Sequence, residues 1–332
     1  MSYTNDELQQ KIIELKEKLS VTVVAHFYQK DEVFQMGDIM GDSLELARKS
    51  MADKSDFVIF CGVGFMGESL KVLSPQKRVL MPKIACCAMA KMIDGKYYDD
   101  SIKILEDAGL QKSNILPITY INSSAEVKAK VGEMGGLVCT SSNAKVIIES
   151  ALKEGKKILF VPDRCLGQNI ANMMGLKSCV IGDGTNPNSA DIICYDGFCS
   201  VHQLFSVDDI EFYKEKYPDI LIAVHPECDP AICDRADFVG STSQLIKYIL
   251  DLDENQKVAV GTEFNMVNRL REKNTYVLSS TKPECPTMNE TTLEDLYLTL
   301  KSIDDGAPIN EIFVDDNTSK WARVALERMM AL

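Results

Sequence analysis

The sequence predicts an α/β protein of three tandem, homologous Rossmann-like units with parallel sheets. Two observations carry this. Apolar, β-rich runs at residues 21–25, 57–60, 79–81, 115–118, 157–161, 220–224 and 257–260 alternate with helical patterns along the 332 residues. Strands alternating with helices give parallel sheets, because parallel neighbours need a crossover. The second observation is internal similarity. Segments 23–49 (VVAHFYQKDEV…GDIMGDSLELARK), 117–149 (PITYINSSAEV…GGLVCTSSNAKVIIE) and 222–249 (IAVHPECDPAI…ADFVGSTSQLIKYI) share one order of features. Each runs strand, polar ring residue, helix, second strand, then a hydroxyl cluster opening another helix.

The ring residues are His26, Tyr120 and His225. From His26 to Ser43 is 17 residues, as it is from His225 to Thr242; Tyr120 to Ser141 is 21, with a Gly-rich insertion at 132–136. A further echo follows in each copy: FVIFCGVGFMGESL, KILFVPDRCLGQNI and KVAVGTEFNMVNRL all run strand, tight turn, helix. The copies start about one hundred residues apart, the size of small domains rather than of solenoid repeats. The division is therefore 1–110 with an N-terminal helix, 111–210, and 211–332 with C-terminal helices. Ligands of open parallel sheets bind beyond the carboxyl ends of the strands, where the ring residues lie.

Charge and composition narrow the function. A formal net charge of −13 argues against nucleic acid and anionic membranes as partners. Residues 5–19 read as an amphipathic helix with Leu8, Ile12, Leu15 and Leu19 on one face, not as a signal peptide. A cytoplasmic protein is the expectation. Its eleven cysteines are then core residues or metal ligands rather than disulfides.

Cys61, Cys139, Cys179 and Cys194 sit in or beside apolar strands, as core residues do. Of the rest, Cys87, Cys199 and Cys285 each follow the second echo of their unit. Three thiolates suit an iron–sulfur cluster with one iron open to substrate. A rival set, Cys194-x4-Cys199 with Cys228-x4-Cys233, suits a four-thiolate zinc site in a scaffold protein. The hydroxyl clusters have two compatible readings. Asp42-x-x-Glu45 and Ser241-x-x-Gln244 resemble capping boxes, and helix starts also bind carboxylates and phosphates. His225-Pro226-Glu227 places an acid–base pair at a strand end.

Taken in order, AHFYQ…GDSLELAR, GVGFMGESLKVLSP, YINSSAEVKA, CTSSNA, PDRCLG, CSVHQ, HPEC, GSTSQLIKYI, GTEFNMVNRL and CPTM…TLEDLYLTL resemble the quinolinate synthase family along almost the whole chain. The resemblance implies three αβα sandwiches about a pseudo-threefold axis and one [4Fe–4S] cluster per chain on Cys87, Cys199 and Cys285. It implies a cluster-assisted condensation of iminoaspartate with dihydroxyacetone phosphate, giving quinolinate for NAD biosynthesis. An L-aspartate oxidase or dehydrogenase is the implied transient partner. The implied iminoaspartate site is His26, Ser43, Tyr120, Ile121, Asn122, Ser141, His225, Pro226, Glu227 and Thr242. Glu227, His225, Tyr28 and Tyr120 are the implied catalytic groups. Another cluster-bearing hydro-lyase is the alternative enzyme. Cys165 departs from the family, which often has Asn there; Cys86 stands beside Cys87, and the alignment of the following Ala88-Met89-Ala90 places Cys87 as the ligand.

Overall fold

A computed structural model describes residues 3–332. Its first unit follows α1 (Asn5–Leu19) and runs β1 (Thr22–His26), α2 (Asp31–Phe34), β2 (Ile39–Gly41), α3 (Ser43–Ala52), β3 (Phe57–Cys61), α4 (Gly64–Leu73) and β4 (Arg78–Leu80). After α5 (Gly95–Asp107), the second unit runs β5 (Ile115–Tyr120), α6 (Ala125–Glu133), β6 (Leu137–Cys139), α7 (Ala144–Leu152), β7 (Lys157–Val161), α8 (Arg164–Met174), β8 (Ser178–Val180) and β9 (Ile192–Cys194). After α9 (Val207–Lys216), the third runs β10 (Leu221–Val224), α10 (Pro230–Cys233), β11 (Phe238–Val239), α11 (Thr242–Asp251), β12 (Val258–Gly261), α12 (Phe264–Arg269) and β13 (Thr275–Val277). The chain ends in α13 (Leu293–Asp304) and α14 (Asp316–Met330).

The sheets are β2-β1-β3-β4, β6-β5-β7-β9-β8 and β11-β10-β12-β13, and every strand pair in them is parallel. They are one topology three times, with β8 added at the edge of the middle sheet. Register repeats too: His26 pairs with Gly41, Tyr120 with Cys139, and Val224 with Val239. An aspartate sets this register in the outer units. Asp38 accepts from Val23 N and Asp237 from Ile222 N, both at 2.8 Å.

The strands are buried on both faces, as layered parallel sheets must be. In the third unit, Ile222 and Val224 pack on one side with Ile210, Ile232 and Leu278. Ala223 packs on the other with Leu245, Ile249 and Met266. This alternation makes three layers, each buried aliphatic side chain contributing about 1.5–3 kcal/mol. The two C-terminal helices return to earlier units. α13 packs against α1, and α14 lies across α6, β6 and α4. Gly132 permits that approach: a Cβ there would collide with the Trp321 carbonyl oxygen. Among the described residues, no helix is long and apolar enough to cross a membrane.

Candidate active site

Parallel topology sends the carboxyl ends of the central strands toward the middle of the molecule. A cavity lies there, lined from all three units. His26 ends β1 and His225 follows β10, and both make one local turn. His26 Nδ1 accepts the amide of Tyr28 at 3.1 Å, and His225 Nδ1 accepts that of Glu227 at 3.3 Å. The turn aims the residue two places on, Tyr28 or Glu227, into the cavity.

Acceptance at Nδ1 places the ring proton on Nε2. Burial lowers the pKa of His26 to about 4 and of His225 to about 3, so both rings are neutral at pH 7. His225 Nε2–H then donates to Ser141 Oγ at 3.2 Å, tying the third unit to the second. The Tyr28 ring packs edge-on to His26 with centroids 4.8 Å apart.

A chain of polar contacts crosses the same wall. Tyr28 Oη lies 3.0 Å from Thr242 Oγ1 and 2.8 Å from Thr262 Oγ1. Thr262 Oγ1 lies 3.1 Å from His202 Nε2. His202 Nδ1 lies 2.8 Å from Glu227 Oε2, off the line of an ideal hydrogen bond. His202 also stacks on His225, centroids 4.7 Å apart. Burial alone would raise the Glu227 carboxyl. The His202 ring and the Tyr120 hydroxyl outweigh it and hold the carboxyl below its usual range. Burial, with Glu227 nearby, raises the Tyr28 and Tyr120 phenols well above theirs, so both are neutral donors at rest.

The three hydroxyl clusters reach this cavity through Ser43, Ser141 and Thr242. Both capping boxes form: Asp42 caps α3 with Glu45, and Ser241 caps α11 with Gln244. Amides of Leu44, Glu45 and Gln244 are spent on those caps, so the exposed polar groups here are chiefly hydroxyls. The middle cluster departs, because α7 starts three residues after Ser141 with Asn143 Oδ1 bonded back to Thr140. Two of the clusters join units: Ser142 Oγ donates to Asp42 at 3.0 Å and Ser243 Oγ to Glu45 at 2.9 Å.

Cys87, Cys199 and Cys285, one from each repeat, line the cavity. Burial pushes the Cys87 thiol up to about 12 and raises those of Cys199 and Cys285. Single ions draw their donors within about 2.3 Å of one centre. Among the described residues, the ligand atoms that lie within 4.8 Å of one another are those of Cys199, His202 and Glu227. Three cysteines at one cavity, beside that group, fit an iron–sulfur protein. The zinc alternative does not assemble: Cys194 is buried in β9, Cys199 is at the cavity, and Cys228 and Cys233 are buried in the third unit's core. Cys61, Cys139 and Cys179 are buried strand residues, as their apolar surroundings suggest. Cys86 is exposed and off the cavity wall, unlike Cys87.

His26, Tyr28, Ser43, Tyr120, Asn122, Ser141, His225, Glu227 and Thr242 thus share one wall. Ile121 and Pro226 do not line it; their carbonyls bond to Lys128 and Asn169. Sequence reasoning gave no role to His202, Thr262 or Glu263. The signal was present, since His202 stands in CSVHQ and Thr262-Glu263 follow β12 within the third echo. Glu263 caps α12 and accepts the Cys285 amide at 3.3 Å; burial raises its pKa to about 8.

Residues 10–331 match the family described as Quinolinate synthetase A protein. The chain is 52% identical over 335 residues to a Quinolinate synthase of Helicobacter pylori, covering 99% of both chains. It is 40% identical over 340 residues to that of Streptomyces coelicolor, covering 96% of this chain and 86% of the relative. The Lysinibacillus sphaericus protein of the same name is 39% identical, with 98% and 93% covered.

Lys128 beside this site gives a pH signature. It is 1% exposed, and burial lowers its pKa to about 7. The unfolded chain keeps that proton to about pH 10.4. Between these values the unfolded state binds more protons, so the contribution is fully present at high pH and is lost as pH falls to about 7. Denaturant unfolding of the wild type and Lys128→Met should show their stability difference shifting toward the wild type from about pH 7 to pH 10, by up to about 1.4 kcal/mol per pH unit. A pH-independent difference contradicts the shift.

Proposed function

The chain belongs to the quinolinate synthetase A family, and from that premise we propose that it makes quinolinate for NAD biosynthesis. The reaction proposed is condensation of iminoaspartate with dihydroxyacetone phosphate, releasing phosphate and two waters. One observation carries the reading beyond family membership: the Tyr28–Thr262–His202–Glu227 chain runs along a cavity that also presents three cysteines and three hydroxyl-bearing turns.

Each group has a task that its surroundings support. Ser43, Ser141, Thr242 and Asn122 offer hydrogen bonds to carboxylate or phosphate oxygens, with the neutral His26 beside them. His225 holds Ser141 through Nε2–H and leaves the hydroxyl proton free to point at substrate. Tyr28 is the proton-transfer group of the cavity wall. Its buried phenol resists ionisation unless a base follows the proton. Through Thr262, His202 is that base, and the Glu227 carboxylate beside Nδ1 stabilises the imidazolium as it forms. Tyr120 faces Glu227 and donates toward oxyanions as they develop. Glu227 therefore acts through His202 in this scheme rather than directly on substrate.

Cys87, Cys199 and Cys285 would hold a [4Fe–4S] cluster, one per chain, and such a cluster on three thiolates supplies a Lewis-acidic iron for dehydration. Iminoaspartate hydrolyses readily, so an L-aspartate-oxidising enzyme, an oxidase or a dehydrogenase, is the proposed source. A reducing, cytoplasmic setting belongs to the same proposal, and all eleven cysteines are free thiols.

Anaerobic, cluster-loaded protein given dihydroxyacetone phosphate and iminoaspartate made in place should accumulate quinolinate. Glu227→Gln and His202→Gln should keep their visible absorbance and lose turnover by about 100-fold or more. Dehydration of simple hydroxyacids without quinolinate would instead indicate another hydro-lyase. Single Ala replacements of Cys87, Cys199 and Cys285 should each abolish the cluster absorbance, whereas Cys86→Ala should retain it. An intact cluster after any of the first three removes that residue from the ligand set.

A further inference from the structure

We infer that Lys128, Asn169 and Arg269 are positioning residues, each fixing one cavity-facing side chain by gripping the two carbonyls that flank it. Lys128 Nζ donates to Ile121 O at 2.8 Å and to Ser123 O, on either side of Asn122. Asn169 Nδ2 donates to Pro226 O and Cys228 O, both at 2.8 Å, on either side of Glu227. Arg269 donates to Gln29 O at 2.9 Å and to Phe27 O, on either side of Tyr28. Three elements with different chemistry thus make one arrangement three times.

The arrangement follows the repeat. Asn169 and Arg269 occupy the same place in their echoes, each twelve residues after the lysine that opens the segment, Lys157 or Lys257. The matching residue of the first unit is Ser69, whose hydroxyl turns inward to Phe65 O at 2.6 Å. Its neighbour Glu68 reaches across instead, accepting from Ala125 N at 2.8 Å at the start of α6, and Lys128 on α6 supplies the grip. So α4 reaches the second unit, α8 the third and α12 the first. The contacts close a ring.

Tying the carbonyls before and after a residue fixes the peptide planes on both sides of its Cα, and with them the direction of Cα–Cβ. Plain satisfaction of buried carbonyls is the competing account. Two features oppose it. Asn169 is 2% exposed, and its Oδ1 is buried without a partner. An unpaired buried acceptor costs about 1–3 kcal/mol, which a residue kept for stability alone would avoid. Lys128 buries an amine for the same two bonds; a neutral amine still has the two N–H groups they need. The geometry is independent of the reaction, but the functional consequence rests on the reading of the cavity given above.

The test uses the full chain with its cluster, two readouts and a double-mutant cycle. Succinate, a C4 dicarboxylate probe, is titrated by calorimetry, and quinolinate formation gives kcat and KM. Lys128→Met should weaken succinate binding and raise KM about tenfold, and should add less than about twofold to the loss caused by Asn122→Ala, because both act through Asn122. Arg269→Met should lower kcat about tenfold or more, with Arg269→Lys recovering most of it, since a lysine side chain can grip two carbonyls as Lys128 does. Asn169→Leu should lower kcat similarly with its cluster absorbance intact. Ser69→Ala, which removes a hydroxyl outside the ring of grips, should change neither readout. Losses for Lys128→Met and Asn122→Ala that multiply in full, or Arg269→Met with unchanged kinetics, overturn the inference. Absence of quinolinate from the wild type overturns the proposed reaction instead, and the succinate cycle then still decides for or against the grip.

Discussion

The strand-end loops at the centre of this protein can keep their carbonyls buried because neighbouring elements donate to them. Burial of a polar group without a partner costs more than a typical hydrogen bond returns, so each loop is stable only when its donor is in place. Asn169 on α8 and Arg269 on α12 carry that dependence across unit boundaries. The cavity, the aim of Tyr28 and Glu227, and the stacking of His202 on His225 all follow from three units closing on one another.

Closure also explains the division of chemistry. The same turn after the strand presents Tyr28 in the first unit and Glu227 in the third, through the same Nδ1 contact. The middle unit has Tyr120 in place of histidine and a longer approach to its hydroxyl turn. It contributes Ser141 and Asn122, and it contributes Asn169 and Lys128 to the scaffold beneath. The repeat supplies three equivalent positions, and two of them present a titratable side chain two residues beyond a histidine. The acidic surface does not exclude an anionic ligand from the cavity, whose wall also carries neutral hydroxyls, an amide and the His26 and His225 imidazoles.

Much of the fold was legible because its signals are local. Strand runs, the Asp42 and Ser241 caps, and the apolar setting of Cys61, Cys139, Cys179 and Cys194 each occupy a few consecutive residues. The 100-residue echo exposed the repeat and so the shared wall. The Tyr28–Thr262–His202–Glu227 chain was not legible, because Thr262 stands 234 residues from Tyr28 and 60 from His202, and no pattern of spacing encodes such contacts. His202 has no counterpart at the repeat positions of His26 and His225, so the repeat assigns it no role. The return of α14 to α6 was hidden for the same reason, although Gly132 marks the place where a side chain would block it. The burial of Lys128 has no local signal, since the Phe65 ring whose centroid lies 5.3 Å from Nζ belongs to α4 of another unit.

The account stands or falls on what the three cysteines hold together. The most direct measurement is iron, sulfide and zinc content per chain, with visible absorption, on protein purified without oxygen. The account predicts about four iron and about four sulfide per chain, lost together when Cys87, Cys199 or Cys285 is replaced. One zinc per chain with no sulfide, in protein that still makes quinolinate, would contradict it.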